Sequence, residues 1–313
     1  SDLRIKKIMT SMEDLVMYKG HFYNWYDTKT KTPLYPRYVS TVDSGNLVGY
    51  LWIVAESLDE YLCNPIFNFT QTKGLRDTIR LASEEIETSK ETRELYNGVI
   101  NSLDTDAIDF NAWRTILVEL TSSDMKAKID KEAYWNKKLN DDVNGFLEEI
   151  DEFFPWVGYA YEKNIDIEIS DSLRQLLERT ALGRIPEKTT NILDMLNIKY
   201  KNNISLEKLK ILLQHTKETA QMVINNIEDL KERLNSMAEA TDFKMLYDED
   251  RELLRIGYDV ENDNLGKSYY DLLASESRQA SFVAIAKGDV PKKHWFKLGR
   301  SMTDRKSTRL NSS

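Results

Sequence analysis

The stretch NLGKSYYDLLASESRQASFVAIAKGD (Asn264–Asp289) decides the fold class. Its spacing predicts a helix that is capped near Ser268 and closes around Gly288. The second half, Phe282 to Ala286, is apolar on every side, which predicts a helix enclosed by other helices. The first half carries Asp271, Glu276 and Arg278. Charged groups at the start of an otherwise enclosed helix are costly unless they are paired or face a wet cavity.

Working outward, FKMLYDEDRELLRIGY (Phe243–Tyr258) reads as a β-hairpin with its turn at Asp248 to Arg251. From Gly74 to about Glu239 the chain is rich in Glu, Lys, Leu and Asn. Stripes such as Leu75, Ile79, Ala82, Ile86 and Leu206, Leu209, Leu213 predict several amphipathic helices with charged, solvated faces. Breaks are expected near Pro65, Phe154–Pro155 and Ile185–Pro186. At the start, a helix is expected with Ile8, Met12, Leu15 and either Val16 or Lys19 on one stripe.

Between them lies GHFYNWYDTKTKTPLYPRYVSTVDSGNL (Gly20–Leu47), an aromatic run punctuated by prolines. His21–Thr28 reads as a strand, Thr30–Pro36 as a turn and Arg37–Val42 as a second extended piece. Asp43 or Ser44 then offers an N-cap for a helix over Asn46–Leu62 that is apolar on most sides. A surface that stacks rings on sugar faces and hydrogen-bonds hydroxyls would need this mixture of aromatic and polar groups.

The 313 residues are 41% hydrophobic and 30% charged, the composition of a soluble globular protein with a sizeable core. The net charge of −9 disfavours a protein that lives by neutralising phosphates, so no nucleic-acid partner is expected. No apolar run is long enough for a membrane helix, and no leader of signal-peptide type is read. The single cysteine, Cys63, cannot form an internal disulfide and fits a reducing compartment. His21, His215, His294 and Cys63 lie too far apart to form a local metal motif, so neither a metal nor another cofactor is expected. The tail TDRKSTRLNSS (Thr303–Ser313) has no apolar pattern and reads as non-native.

Four stretches, GHFYNWYDT (Gly20–Thr28), PRYVSTVDSGNL (Pro36–Leu47), SYYDLLASESR (Ser268–Arg278) and AIAKGDVPKKHWFKLGR (Ala284–Arg300), resemble the central domain of bacterial cyclic β-1,2-glucan synthases. The resemblance implies an (α/α)-barrel, glucoamylase-like domain that cyclises linear β-1,2-glucan by transglycosylation. Its partners would be a membrane-embedded glycosyltransferase part and a phosphorylase-like part of the same polypeptide. The segment itself would be soluble, at the cytoplasmic face of the bacterial inner membrane. The fold class is therefore expected to be all-α, a truncated (α/α) barrel with short β-hairpins. The expected domains are 1–300, with 75–240 a charged helical region inside it, and 301–313 a non-native tail. The chain departs from the family at Ser277, where Ala is common, and at Gln279, where an apolar residue is common. A further carboxylate-bearing segment expected downstream is missing, so the fragment alone is expected to be inactive.

Glu276 is the expected catalytic carboxylate, as nucleophile or acid/base; otherwise it pairs with Arg278 or a neighbouring helix and orders the wall. Asp271 either contacts substrate or complements the helix dipole. Asp43 caps its helix, binds a glucose hydroxyl, or both. Tyr23 and Trp25, two apart on one strand face, could stack on successive sugars or belong to the core. Tyr270 and Arg278 complete the expected substrate contacts. Arg37 and Asp27 are expected to hold the hairpin together. Two other functions remain open: a hydrolase on the same glucan, and a non-catalytic helical spacer.

Overall fold

A computed structural model describes residues 2–67, 69–85, 90–103, 110–120, 134–162, 166–201, 203–270 and 275–299. They form a mainly α-helical protein with a few short antiparallel strands, and the described residues form no closed barrel. The chain divides into two compact units, Ser1–Glu60 with Asn225–Ser313, and Tyr61–Ile224. The tail from Thr303, Asp271 and Ile86 lie outside the described residues.

In the first unit α1 (Asp2–Glu13) buries Met9, while Ile8 is 50% exposed. The expected stripe is thus one residue out, because Ile5, Met9 and Met12 share the inward face. Strand β1 (Tyr38–Ser40) leads directly into α2 (Thr41–Cys63). The cap of α2 is Ser40, whose hydroxyl accepts from the backbone N–H of Asp43 at 3.3 Å. Asp43 is an acidic residue of the first turn, not the cap expected from sequence, and favours the positive end of the helix dipole.

The second unit begins with α3 (Phe69–Glu84), α4 (Lys90–Leu103), α5 (Phe110–Leu120) and α6 (Tyr134–Phe153). Leu75, Ile79 and Ala82 of α3, Tyr96 of α4 and Leu139, Val143 and Ile150 of α6 are buried. Both helices α4 and α6 pack on α3. Glu85, just past α3, accepts from the first backbone N–H groups of α6, those of Trp135 (2.8 Å) and Asn136 (3.1 Å). Pro155 separates α6 from α7 (Trp156–Glu162), and α8 (Ile167–Glu178) follows with Asp166 as its N-cap. Pro186 stands at the start of α9 (Ile185–Lys199), where a missing N–H costs nothing.

The long helix α10 (Glu207–Ala240) runs from the second unit's residues into the first's. Leu209 and Leu213 are fully buried on it, as the stripe predicts. In the first unit, Arg233 of α10 holds Glu13 and Thr10 of α1, and Lys231 holds Asp59 of α2. Then β2 (Tyr247–Asp248) and β3 (Leu253–Leu254) form the expected hairpin, with Arg251 N–H donating to Asp248 across its turn. A three-stranded antiparallel sheet joins β1, β4 (Gly257–Asp259) and β5 (Asn264–Leu265) in the order β1–β4–β5. The last helices are α11 (Ser275–Ala286) and α12 (Lys293–Lys297).

Three expectations fail here. Residues His21–Thr28 are not a strand: they make only isolated bridges, Tyr18 to His21 and Tyr26 to Pro33. Their hydrogen bonds go elsewhere. Tyr23 N–H donates to the Tyr26 hydroxyl, and the Asp27 carboxylate accepts from Lys29 and Thr30 N–H in a turn. Helix α11, in turn, does not begin near Ser268, because Ser268–Tyr270 are non-helical and Tyr269 bridges to Arg255. Nor is its second half enclosed all round: Val283 and Ala284 are buried, but Phe282 is 64% exposed.

Candidate active site

The site is organised by a close crossing of α2 and α11. Gly45 and Gly49 lie one turn apart on α2 and face Ala280 and Gln279 of α11. A Cβ at Gly45 would stand 2.3 Å from the Ala280 Cα, and one at Gly49 would stand 2.5 Å from the Gln279 amide nitrogen. Only glycine permits the first approach. Ser277, Ala280, Ser281 and Ala284 are all small and buried on α11.

Each of the two crossing helices carries a carboxylate in its first turn. Asp43 is in the first turn of α2 and Glu276 in that of α11, and both side chains are exposed. Tyr270 lies within electrostatic reach of both. Its phenol is pushed above its ordinary value chiefly by burial, then by the negative charges of Asp43 and Glu276. Tyr38 is raised in the same way, first by burial and then by Tyr270 and Asp259. Tyr270 thus lies within electrostatic reach of two carboxylates and of a second half-buried phenol, Tyr38. Such a group offers acceptors, donors and a carboxylate near a partly dry surface.

Of the other expected residues, Arg278 is exposed on α11. Tyr23 is 7% exposed and meets Tyr26 edge to face, while Trp25 is 52% exposed, so they do not share one face as expected. Asn24 N–H, next to Trp25, donates to the Tyr38 carbonyl. Asp27 holds its turn as expected. Arg37 lies over the Tyr35 ring of its own segment at 5.4 Å and also pairs with Glu261 beyond it.

Sequence reasoning missed the end of α10, on which both resembling blocks converge. Gly20, at φ +79°, lies so close that a Cβ would stand 2.0 Å from the Ala240 carbonyl oxygen. The Thr241 hydroxyl donates to the Gly20 carbonyl, and Asp242 N–H donates to that of Lys19. From the other block, the buried Lys287 donates to the carbonyls of Ala238 and Glu239, both at 2.9 Å, and of Thr241. Asp289 accepts from Phe243 N–H and pairs with Lys287 at 3.4 Å. The motif Lys287–Gly288–Asp289 therefore caps α10 with a cation and ends α11 with a left-handed glycine, φ +79°. Replacing Lys287 by Met takes a buried cation away from three carbonyls and from Asp289, which keeps the Phe243 N–H. It is expected to cost about 3 kcal/mol, read by chemical denaturation of the chain.

His21 and His294 are both fully buried. His21 Nε2–H donates to the Asp242 carbonyl and its Nδ1 faces the Ser44 oxygen, each at 2.8 Å, while the Ser44 hydroxyl donates to the Ser40 carbonyl at 2.7 Å. His294 uses the opposite tautomer: Nδ1–H faces the Glu252 carbonyl at 3.1 Å and Nε2 faces the Ser281 hydroxyl at 2.8 Å. A carbonyl only accepts, so each imidazole carries a proton on the nitrogen that faces one. Both serines are buried with their histidines, which makes the pairs loop-to-helix fasteners rather than nucleophiles. Burial is the main cause that holds both imidazoles below the usual 6.5. The folded state then binds fewer protons than the unfolded chain as pH falls below about 6.5, and stability drops. Denaturation midpoints should fall between pH 7 and 5, and the slope should flatten when both histidines become Gln.

Near β2, Tyr269 donates to Asp248, whose carboxyl is held down at about 2 first by that bond, then by Arg251 N–H and by Arg255. Arg255 also lies over the Tyr269 ring at 4.5 Å. In Tyr269→Phe the Asp248 carboxyl should titrate at higher pH, measurable by carboxyl-carbon NMR.

Among the described residues, no group of three or more His, Cys, Asp or Glu could hold a metal ion. No helix among them is long and apolar enough to cross a membrane.

No family model matches the chain. The chain is similar to a cyclic beta-(1,2)-glucan synthase. It is 28% identical over 302 residues to the protein of that name, NdvB, from Rhizobium meliloti. The match covers 95% of this chain and 9% of that protein, so the chain spans under a tenth of the relative's length. It extends well beyond the resembling blocks, across the second unit, where sequence reading found no motif.

Proposed function

We propose that the chain is part of a cyclic β-1,2-glucan synthase and acts on linear β-1,2-glucan by transglycosylation to give a cyclic product. Glu276 is the reacting carboxylate in this reading. Asp43 and Tyr270 bind glucose hydroxyls beside it, and Trp25 offers an exposed ring to a sugar face. Tyr23, Asp271 and Arg278 complete the contacts. One observation carries the reading: Asp43 and Glu276, 233 positions apart in sequence, both lie within electrostatic reach of Tyr270, and their helices approach closely where Gly45 meets Ala280. They do so in a chain similar along 95% of its length to a glucan synthase.

A retaining reaction needs one carboxyl to attack the anomeric carbon and another group to protonate the leaving oxygen. A sugar hydroxyl that then takes the glycosyl unit closes the ring, whereas water makes the same site a hydrolase. The membrane-embedded glycosyltransferase and phosphorylase-like parts belong to the same reading, as does a place at the cytoplasmic face of the inner membrane. A spacer role fits the second unit, which holds none of the expected site residues.

The test is a titration of the chain with linear β-1,2-glucan. Asp43→Asn and Tyr270→Phe should each weaken binding about tenfold, the loss of one charged or buried hydrogen bond. Unchanged affinity in both variants, or no binding by the parent chain, overturns the assignment.

A further inference from the structure

Tyr269, the residue before Tyr270, is held from three sides. Its hydroxyl donates to Asp248 of β2 at 2.5 Å, the Arg255 guanidinium lies over its ring at 4.5 Å, and its backbone bridges to that of Arg255. Arg255 in turn pairs with Asp248 and donates to the Gly266 carbonyl at 3.1 Å, so it cannot swing off the ring without breaking both bonds. The same piece of chain also carries the start of α2. The Arg255 carbonyl accepts from the Thr41 hydroxyl and the Ile256 carbonyl from Thr41 N–H, while Ile256 N–H donates to the Ser268 carbonyl at 3.1 Å. Thr41 opens the helix that bears Asp43. In extended, bridged backbone, consecutive side chains leave on opposite sides. With Tyr269 turned onto Asp248 and Arg255, Tyr270 is turned away from them, within electrostatic reach of Asp43 and Glu276.

We propose that Tyr269, Asp248 and Arg255 form a clamp that positions Tyr270 for sugar binding, and that none of the three touches the glucan. The clamp fixes one residue of the short non-helical strap Ser268–Tyr270, and the peptide link passes that restraint to the next side chain. A phenol that must meet a sugar hydroxyl within hydrogen-bond distance gains from such support, because ordering a loose side chain offsets part of each bond it makes. The Asp248 carboxyl, held at about 2, stays an anion at neutral pH and so keeps both of its side-chain donors, Tyr269 and Arg255. The inference rests on the glucan reading above and adds to it how Tyr270 is aimed.

The experiment is a double-mutant cycle on the affinity of the chain for a linear β-1,2-glucan oligosaccharide, read by calorimetry. Tyr269→Phe keeps the ring beneath Arg255 and removes only the hydroxyl, and it should weaken binding about threefold or more. The double variant with Tyr270→Phe should bind no more weakly than Tyr270→Phe alone, because the effect of Tyr269 passes through the Tyr270 hydroxyl. A second readout uses no glucan: the Tyr270 Cζ signal, identified by its loss in Tyr270→Phe, is followed by NMR against pH. In Tyr269→Phe the phenol should titrate at lower pH than in the parent, since a loosened strap brings it into water and away from the two carboxylates. Additive losses in the cycle, or full affinity in either single variant of a parent that binds, overturn the clamp. An unchanged Tyr270 titration overturns it whatever the affinities. A parent that does not bind overturns the glucan reading, and the titration alone then decides whether the clamp positions Tyr270.

Discussion

Glu276→Gln, placed in a polypeptide that turns over linear β-1,2-glucan, is expected to cut turnover by about 10²–10⁴-fold. Gln keeps the size of the side chain and its capacity to accept a hydrogen bond. It can neither attack an anomeric carbon as an anion nor exchange a proton with the glycosidic oxygen. Exposure of Glu276 in the first turn of α11 leaves room for substrate, so the loss should fall on turnover more than on folding. The measurement is product formation from linear glucan, with cyclic and linear products separated and thermal melts run in parallel. Full turnover by the Gln variant would reduce Glu276 to part of the helix wall. Linear products alone from the parent would assign hydrolysis.

Gly45→Leu is expected to leave the first unit unfolded. An added Cβ meets the Ala280 Cα at 2.3 Å, and backbone at that distance cannot yield the way the tip of a side chain can. Overpacking costs about 1–3 kcal/mol where side chains adjust, and here α11 itself must move. Moving it breaks the fastener between Ser281 and His294 and withdraws Lys287 from the end of α10. Since whole domains are stable by only about 5–15 kcal/mol, these losses together are enough to unfold it. Gly145→Ala on α6 is the control, because a Cβ there meets nothing within 4 Å. It should stabilise the chain by about 0.5–1 kcal/mol through helix propensity. Circular dichroism and denaturant curves on both variants separate the cases, and a native-like Gly45→Leu would refute the close crossing.

The amphipathic helices were legible because burial at a 3.6-residue period leaves its mark in composition. Leu206, Leu209 and Leu213, and Leu75, Ile79 and Ala82, lie where their spacing puts them. The α1 stripe slipped by one position because Ile8 and Met9 are both apolar and only packing chooses between them. The strand expected at His21–Thr28 was misread because alternating aromatics mimic a pleat, while Tyr26 and Asp27 side chains take the backbone bonds a strand would need. At the site, the carboxylates and Tyr270 were legible as residue types, and their assignment to one site came from the resemblance alone. The approach of α2 to α11 depends on the spacing Gly45-x-x-x-Gly49, a signal visible in the sequence but meaningless until α11 supplies small residues to meet it. The role of Lys287 was not legible, since nothing local in the sequence shows that the end of another helix lies beside it.

The first unit is assembled from two stretches of chain separated by about 160 residues of the second. On a ribosome that adds about 5–20 residues per second, roughly 8–30 s pass between the two halves. During that interval Gly20 and His21 have no α10 terminus to receive them, and Gly45 has no Ala280. The second unit, whose contacts lie within one continuous segment, is free to fold in the meantime. Synthesis therefore imposes an order, with the inserted helices first and the candidate site last, closing only after Lys287 and His294 have emerged from the exit tunnel.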